Sequence, residues 1–259
     1  MYQPFDLSGK VALVTGGNGG IGLGFCKAMA QAGADICIWG TNADKNAEAV
    51  EQLAPIGTKA YAQQVDVADS KAVEDTFAEA LAHFGRVDGV FANAGVSGRK
   101  RSFFEIDDEE WRRVMNVNLD GAFYTLRAAA RHMIDRAENG NPFGRLVVTS
   151  SLAALSGAAR NEHYGATKGA VVSMVRAMAV DFARYGITAN AILPGWIETD
   201  MTEDLFSWDR FAESALARTP VGRWGKPEDF GGIAVYLMSE ASAFHTGDSH
   251  LIDGGYWVF

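Results

Sequence analysis

The stretch Val11-Ala-Leu-Val-Thr-Gly-Gly-Asn-Gly-Gly-Ile-Gly22 decides the fold. Val11 to Val14 is an apolar run of strand length, and from Ile21 to Ala32 apolar residues recur at helical spacing until Gly33 stops them. A glycine-rich turn between a strand and a helix brings backbone N–H groups to a helix N-terminus, where unpaired donors and the helix dipole hold an anion. Glycines are also ordinary turn punctuation. It is the position of this cluster, directly after an apolar strand, that points to a dinucleotide pyrophosphate.

The alternation continues along the chain. Strands are expected at Asp35 to Trp39, Ala60 to Val65, Val87 to Ala92, Arg145 to Ser150, Thr188 to Leu193 and Ser249 to Ile252. Helices are expected at Ala43 to Leu53, 69–84, about Asp108 to Ala137 and about His163 to Tyr185, with another opening at Lys226-Pro-Glu-Asp. This spacing implies an α/β, single-domain Rossmann fold: a doubly wound parallel sheet of about seven strands with helices on both faces. No linker-like stretch divides the chain, so 1–259 reads as one domain. Ligands of such sheets bind at the carboxyl ends of the strands. Residues 196–226 lack a clean period and are expected to form a mobile lid there.

With 48% hydrophobic and 21% charged residues, the chain can bury a large core, and its net charge of -9 argues against a general nucleic-acid surface. Cys26 and Cys37 fall in the first helix and second strand, where small buried side chains are ordinary, so no disulfide is expected. His83, His132, His245 and His250 show no metal-ligand spacing, and no metal site is expected. No run approaches the roughly 20 apolar residues that span a bilayer, and no signal segment opens the chain. A cytoplasmic protein without membrane or nucleic-acid partners is expected.

The spacing Gly16, Gly20, Gly22 after Thr15 resembles the fingerprint of the short-chain dehydrogenase/reductase family rather than the tighter G-x-G-x-x-G motif. Further family motifs stand here in order. Asp66-Val67 follows the third strand, Asn93-Ala94-Gly95 the fourth, Pro194-Gly195 the sixth and Asp253-Gly-Gly255 the last, while Asn118 lies in Asn-Val-Asn-Leu and Ser151 precedes Tyr164-x-x-x-Lys168. The resemblance covers about residues 7–255. It implies reversible hydride transfer between NAD(P)(H) and a small secondary alcohol or ketone, in a homotetramer. The cofactor-binding residues it implies are Gly16, Asn18, Gly20, Ile21, Gly22, Thr41, Asp66, Val67, Asn93, Ala94, Gly95, Tyr164, Lys168, Pro194, Gly195 and Ile197.

Tyr164 and Lys168, four apart on an expected helix, project from one face. A neighbouring ammonium favours the phenolate and draws a phenol toward working pH. By the resemblance, Tyr164 is the acid-base residue, Lys168 also holds the nicotinamide ribose, Ser151 orients the carbonyl, and Asn118 supports a water in a proton relay. Ser150 is one residue out of register, on the other side of its strand. A rival reading is a catalytically silent dinucleotide-binding sensor or scaffold, and the intact Asn118, Ser151, Tyr164 and Lys168 count against it.

His163 reads as a cleft-lining or satisfied structural residue rather than a base. Trp196 and Trp208 can line an apolar substrate pocket or cap the core. Arg99-Lys-Arg101 reads as a solvated surface, with an anionic substrate group as the sharper alternative. Val171 to Val180 is apolar on more than one helix face, which suggests a subunit interface. At the end of the second strand, where NAD-using family members place an acid for the ribose, register puts Gly40. Thr41, Asn42 and Lys45 can instead donate to a 2′-phosphate, so the reading leans toward NADP, and Gly40→Asp is expected to turn preference to NAD.

Overall fold

A computed structural model describes residues 3–259. In chain order its main elements are β1 (Val11–Thr15), α1 (Gly20–Gln31), β2 (Asp35–Gly40), α2 (Ala43–Leu53), β3 (Ala60–Gln64), α3 (Ser70–Phe84), β4 (Gly89–Ala92), α4 (Asp108–Met115), α5 (Gly121–Glu138) and β5 (Gly144–Thr149). Then come α6 (Glu162–Phe182), β6 (Ile187–Pro194), α7 (Glu203–Phe206), α8 (Asp209–Ala217), α9 (Gly231–Met238) and β7 (Ser249–Ile252). All seven strands pair in parallel, in the order β3-β2-β1-β4-β5-β6-β7. The order reverses between β1 and β4, and a crevice opens where the crossovers diverge.

The sequence accounts for the elements locally. Strands β1, β4, β5 and β6 are buried along their whole length, as strands covered on both faces must be. The Asn42 side chain caps α2 by accepting from Lys45 N at 2.9 Å. Asp69 caps α3 by accepting from Lys71 N and Ala72 N, and that helix stops at Gly85, whose φ of +77° is left-handed. One core, including Leu13, Trp39, Leu126, Leu146 and Val175, fills one face of the sheet; the other, including Val14, Phe25, Ile38, Phe91 and Leu237, fills the opposite face.

Two readings need correction. The long helix expected from Asp108 to Ala137 is broken by a π-helical turn at Asn116–Asp120, where Gly121 N bonds to Asn116 O instead of continuing the α pattern. The stretch 196–226 contains two short helices, α7 and α8, where no period was legible. Aromatic stacking organises it: Phe206 lies on Trp224 with centroids 3.9 Å apart, and Phe211 meets Trp196 edge-on at 4.8 Å.

At the amino end of the sheet, Asp88 is wholly buried. Its Oδ2 accepts from Val11 N at 2.9 Å, and its carboxylate pairs with Arg86 and, at 3.0 Å, with Arg136. Removing one partner of a buried charge cluster leaves the others uncompensated, at about 3 kcal/mol. Asp88→Ala is therefore expected to lower the free energy of urea unfolding by roughly that amount. A loss below about 1 kcal/mol would show that the cluster is solvated well enough to do without its carboxylate.

Candidate active site

The cleft at the carboxyl ends of the strands begins with the glycine turn. Gly16 takes a left-handed φ of +63°, and an added Cβ there meets the Asn93 amide at 3.1 Å. At Gly22 a Cβ meets the Gly16 carbonyl oxygen at 2.2 Å, so only glycine lets α1 approach the turn this closely. Helix α1 has no side-chain cap and no acid in its first turn, and Gly19, Gly20 and Ile21 line the cleft. This cradle fits a dinucleotide pyrophosphate.

Asn93 joins three strand ends. Its backbone N and that of Ala94 both donate to Thr15 Oγ1 at 2.9 Å, its Nδ2 donates to Thr15 O at 3.1 Å, and its Oδ1 accepts from Thr149 Oγ1 at 3.0 Å. The following segment is held by Asn118, which is buried in the π turn. Asn118 Oδ1 accepts from Val96 N at 2.7 Å, and its Nδ2 donates to Val96 O at 2.9 Å and to Thr167 Oγ1 at 3.3 Å.

Ser151, Tyr164 and Lys168 line the same cleft as the glycine turn. Ser151 lies two residues past the end of β5 and accepts from Ala153 N at 3.1 Å, which opens a short 3₁₀ turn. Lys168 is buried; its Nζ donates to Thr149 O at 2.8 Å and lies 5.4 Å from the Tyr164 ring centroid. Burial pulls the Lys168 ammonium down to about 8. Burial pushes the Tyr164 phenol up, and the hydrogen bond from Ser151 opposes that. Ser150 Oγ donates to Lys168 O at 2.8 Å, anchoring the lysine's helix just past β5, and Ser150 lines the cleft with Ser151 instead of turning away from it.

Of the cofactor residues read from the sequence, Gly16, Asn18, Gly20, Ile21, Asn93, Ala94, Gly95, Pro194, Gly195 and Ile197 line the cleft with Tyr164 and Lys168. Gly22 lies behind the turn, Thr41 and Asp66 are exposed to one side, and Val67 packs against Gly121. Lys45, named in the sequence as a donor to a 2′-phosphate, also lines the cleft; sequence reading missed Thr199, Asp200, Met201 and Thr202, which line it too. Their signal was the polar run Glu198-Thr-Asp-Met-Thr202 just after Pro194-Gly195. Lys45 and Asp200 pair across the mouth at 2.6 Å.

Three further side-chain readings change. His163 is buried with no hydrogen-bond partner on either ring nitrogen, so it is not satisfied; its Nε2 lies 3.5 Å from Glu110 Oε1. That carboxylate, held down to about 2 by hydrogen bonds from Arg113, also pairs with Lys100. Neither Trp196 nor Trp208 lines the cleft: Trp196 packs on Phe211, and Trp208 is exposed. The structure also brings His245, Asp248 and His250 together, against the expectation of no metal-ligand cluster.

Gly40 is not open to a ribose. A Cβ there meets Asn18 Nδ2 at 2.3 Å and Asn46 Oδ1 at 2.4 Å. These two amides bond to each other at 2.7 Å, and buried Asn46 also donates to Gly40 O and Gln63 O. Gly40→Asp is thus expected to break this set and weaken both NADH and NADPH, rather than turn preference between them. Fluorescence titration with each cofactor tests this. Tighter NADH binding by the variant would overturn it.

A family model described as enoyl-(acyl carrier protein) reductase matches residues 16–257. The chain is 37% identical over 254 residues to gluconate 5-dehydrogenase of Gluconobacter oxydans (strain 621H), covering 98% of this chain and 97% of the relative. It is 37% identical over 253 residues to L-rhamnose 1-dehydrogenase (NAD(P)(+)) of Sphingomonas sp. (strain SKA58), covering 97% and 98%. The crystal structure of a gluconate 5-dehydrogenase from Burkholderia cenocepacia J2315 in complex with NADP and tartrate superposes with a TM-score of 0.93 at 35% identity, covering 99% of this chain and 98% of that one. Sequence, fold and cleft agree, and the chain belongs to the short-chain dehydrogenase/reductase family, as an NAD(P)(H)-dependent oxidoreductase of alcohols and ketones.

Proposed function

We propose that Tyr164 is the acid-base residue of this enzyme, that Lys168 tunes it, and that Ser151 orients the substrate oxygen. The observation that carries this is the shared cleft of Ser151, Tyr164 and Lys168 beside the glycine cradle. When bound, the nicotinamide accepts or supplies the hydride. The Tyr164 hydroxyl gives its proton to the carbonyl oxygen in reduction, and its phenolate takes the alcohol proton in oxidation. Ser151 donates to the same oxygen and stabilises its developing charge. The Lys168 ammonium, charged below about 8, favours the phenolate against the desolvation that opposes it. The Asn118 side chain is committed to Val96 and Thr167, so a relay water at this residue takes its main-chain carbonyl.

The substrate is proposed to be a sugar or sugar acid. Gluconate 5-dehydrogenase and L-rhamnose 1-dehydrogenase are among the relatives. Among the described residues, the Arg99 and Arg101 guanidiniums make no ion pair, whereas Lys100 between them is spent on Glu110. Guanidiniums without an ion pair suit a carboxylate. NADP is the proposed preference, with Lys45 leaving Asp200 for the 2′-phosphate. The segment 196–226 is proposed to move over the ligand as one packed flap, with the Ile197 and Gly225 pairing at its base. A turnover screen of aldonates against neutral sugars, with both cofactors, tests the substrate class. Equal rates on neutral sugars would remove the anionic preference.

Tyr164→Phe is expected to retain fold and cofactor binding and to lose at least about a hundredfold in turnover, the scale of one positioned acid-base group. Lys168→Met should weaken cofactor binding and move the pH midpoint of alcohol oxidation upward, because the phenolate loses its ammonium. Unchanged midpoint in that variant would remove Lys168 from the tuning role.

The homotetramer is also proposed. Helices α5 and α6 leave an apolar groove of about 390 Å³ lined by residues that include Phe123, Leu126, Ile134, Met174, Met178 and Phe182. An open apolar groove of this kind on two long helices suits burial against a second copy. Met178→Glu is expected to lower the mass measured by light scattering, and a parent-like mass would place the interface elsewhere.

A further inference from the structure

The turn entering β7 reads Phe244-His-Thr-Gly-Asp-Ser-His250. A ring nitrogen from each of His245 and His250 and a carboxylate oxygen of Asp248 all lie within 4.8 Å of one another. His245 is oriented from behind: its Nδ1 meets the Tyr236 hydroxyl at 3.0 Å, and its Nε2 faces Asp248 Oδ2 at 2.9 Å. A hydrogen bond on the far nitrogen is how metal-ligating imidazoles are held in place. His250 occupies a register position opposite Ile192 on β6, and its Nε2 is shut from solvent without a hydrogen-bond partner. The half-buried face of a strand ordinarily takes an apolar or β-branched side chain, so a histidine with an orphaned nitrogen there calls for a compensating interaction. The two rings meet edge to face at 4.7 Å.

We propose that His245, Asp248 and His250 form a binding site for a divalent transition-metal ion of borderline softness, with Zn²⁺ the fitting case. Two imidazoles and one carboxylate are a donor set that such ions favour over Mg²⁺ or Ca²⁺, and water completes the coordination. Bonds of about 2.0–2.1 Å bring the donors closer together than they now stand. The exposed Asp248 side chain is free to make that adjustment. The ion takes over the contact between His245 and Asp248 and leaves Tyr236 bonded to Nδ1. It thereby fastens the turn 244–250 to α9. The site is at the amino end of β7, whereas the opposite end of that strand meets the cleft, where Gly195 N donates to Ile252 O at 2.9 Å. The role is therefore a structural staple apart from the hydride chemistry.

The test uses the full chain stripped with a chelator, titrated with Zn²⁺ by calorimetry and followed by thermal unfolding. A single saturable Zn²⁺ per chain and a raised Tm are expected, with no comparable response to Mg²⁺. His250→Leu should abolish both effects while NADPH titration stays as in the parent, and His83→Ala should bind Zn²⁺ as the parent does. Asp248→Asn, at an exposed side chain, gives the same reading if His250→Leu fails to fold. Absence of saturable binding, or parent-like binding in Asp248→Asn and His250→Leu, would overturn the site.

Discussion

The cleft depends on a contact made without side chains, the passage of the glycine turn against the end of β4. With no Cβ at Gly16 or Gly22, the turn lies close enough for Asn93 to reach Thr15 and Thr149 together and stitch β1, β4 and β5 at the point where the strand order reverses. The stitch is then transmitted. Thr15 Oγ1 holds Ala94 N, Asn118 clamps Val96, and an added Cβ at Gly95 would meet Asn118 Oδ1 at 3.3 Å and Lys168 Nζ at 3.5 Å. The glycine cradle and the Lys168 ammonium are thus positioned by one continuous set of short contacts.

Much of this was legible because it is periodic or local. Buried parallel strands read as apolar runs, helices as 3.6-residue repeats, and Tyr164 and Lys168 fall on one face by spacing alone. The π turn was not legible, because Asn-Val-Asn-Leu keeps an apolar alternation that an uninterrupted helix would also accept. Helices α7 and α8 were missed for a different reason. They are held by rings at 196, 206, 211 and 224 that stack only after the chain has folded back, which a local period cannot register.

Gly40 shows the limit of arguing from a register position. The register correctly placed it as the last residue of β2, but whether that position faces ligand depends on the side chains of Asn18, in the glycine turn, and Asn46, on α2. Their amides fill the space beside Gly40, and Asn46 spends both donors on backbone carbonyls of β2 and β3. A missing side chain at a ligand-binding strand end can therefore mean an internal bridge rather than an open ribose site. The three residues His245, Asp248 and His250 are the same lesson in reverse, since irregular spacing in a turn converges on one small volume.

The proposed preference for NADP rests on this arrangement of the second strand. With the Asn18 and Asn46 bridge closing the position at Gly40, no carboxylate there repels a 2′-phosphate, and Lys45 at the opening of α2 lines the cleft. Lys45 is held across the cleft by Asp200, but both side chains are exposed, so water screens the pair and makes exchange of partners inexpensive. A dianionic phosphate offers Lys45 more charge than one carboxylate does. On the same proposal, leaving Asp200 for that phosphate would also release the segment that follows Pro194-Gly195. On the proposed reading, discrimination between the cofactors and movement of 196–226 would be coupled through one exposed ion pair, which would give the preference a dependence on ionic strength that a buried ribose-binding acid would lack.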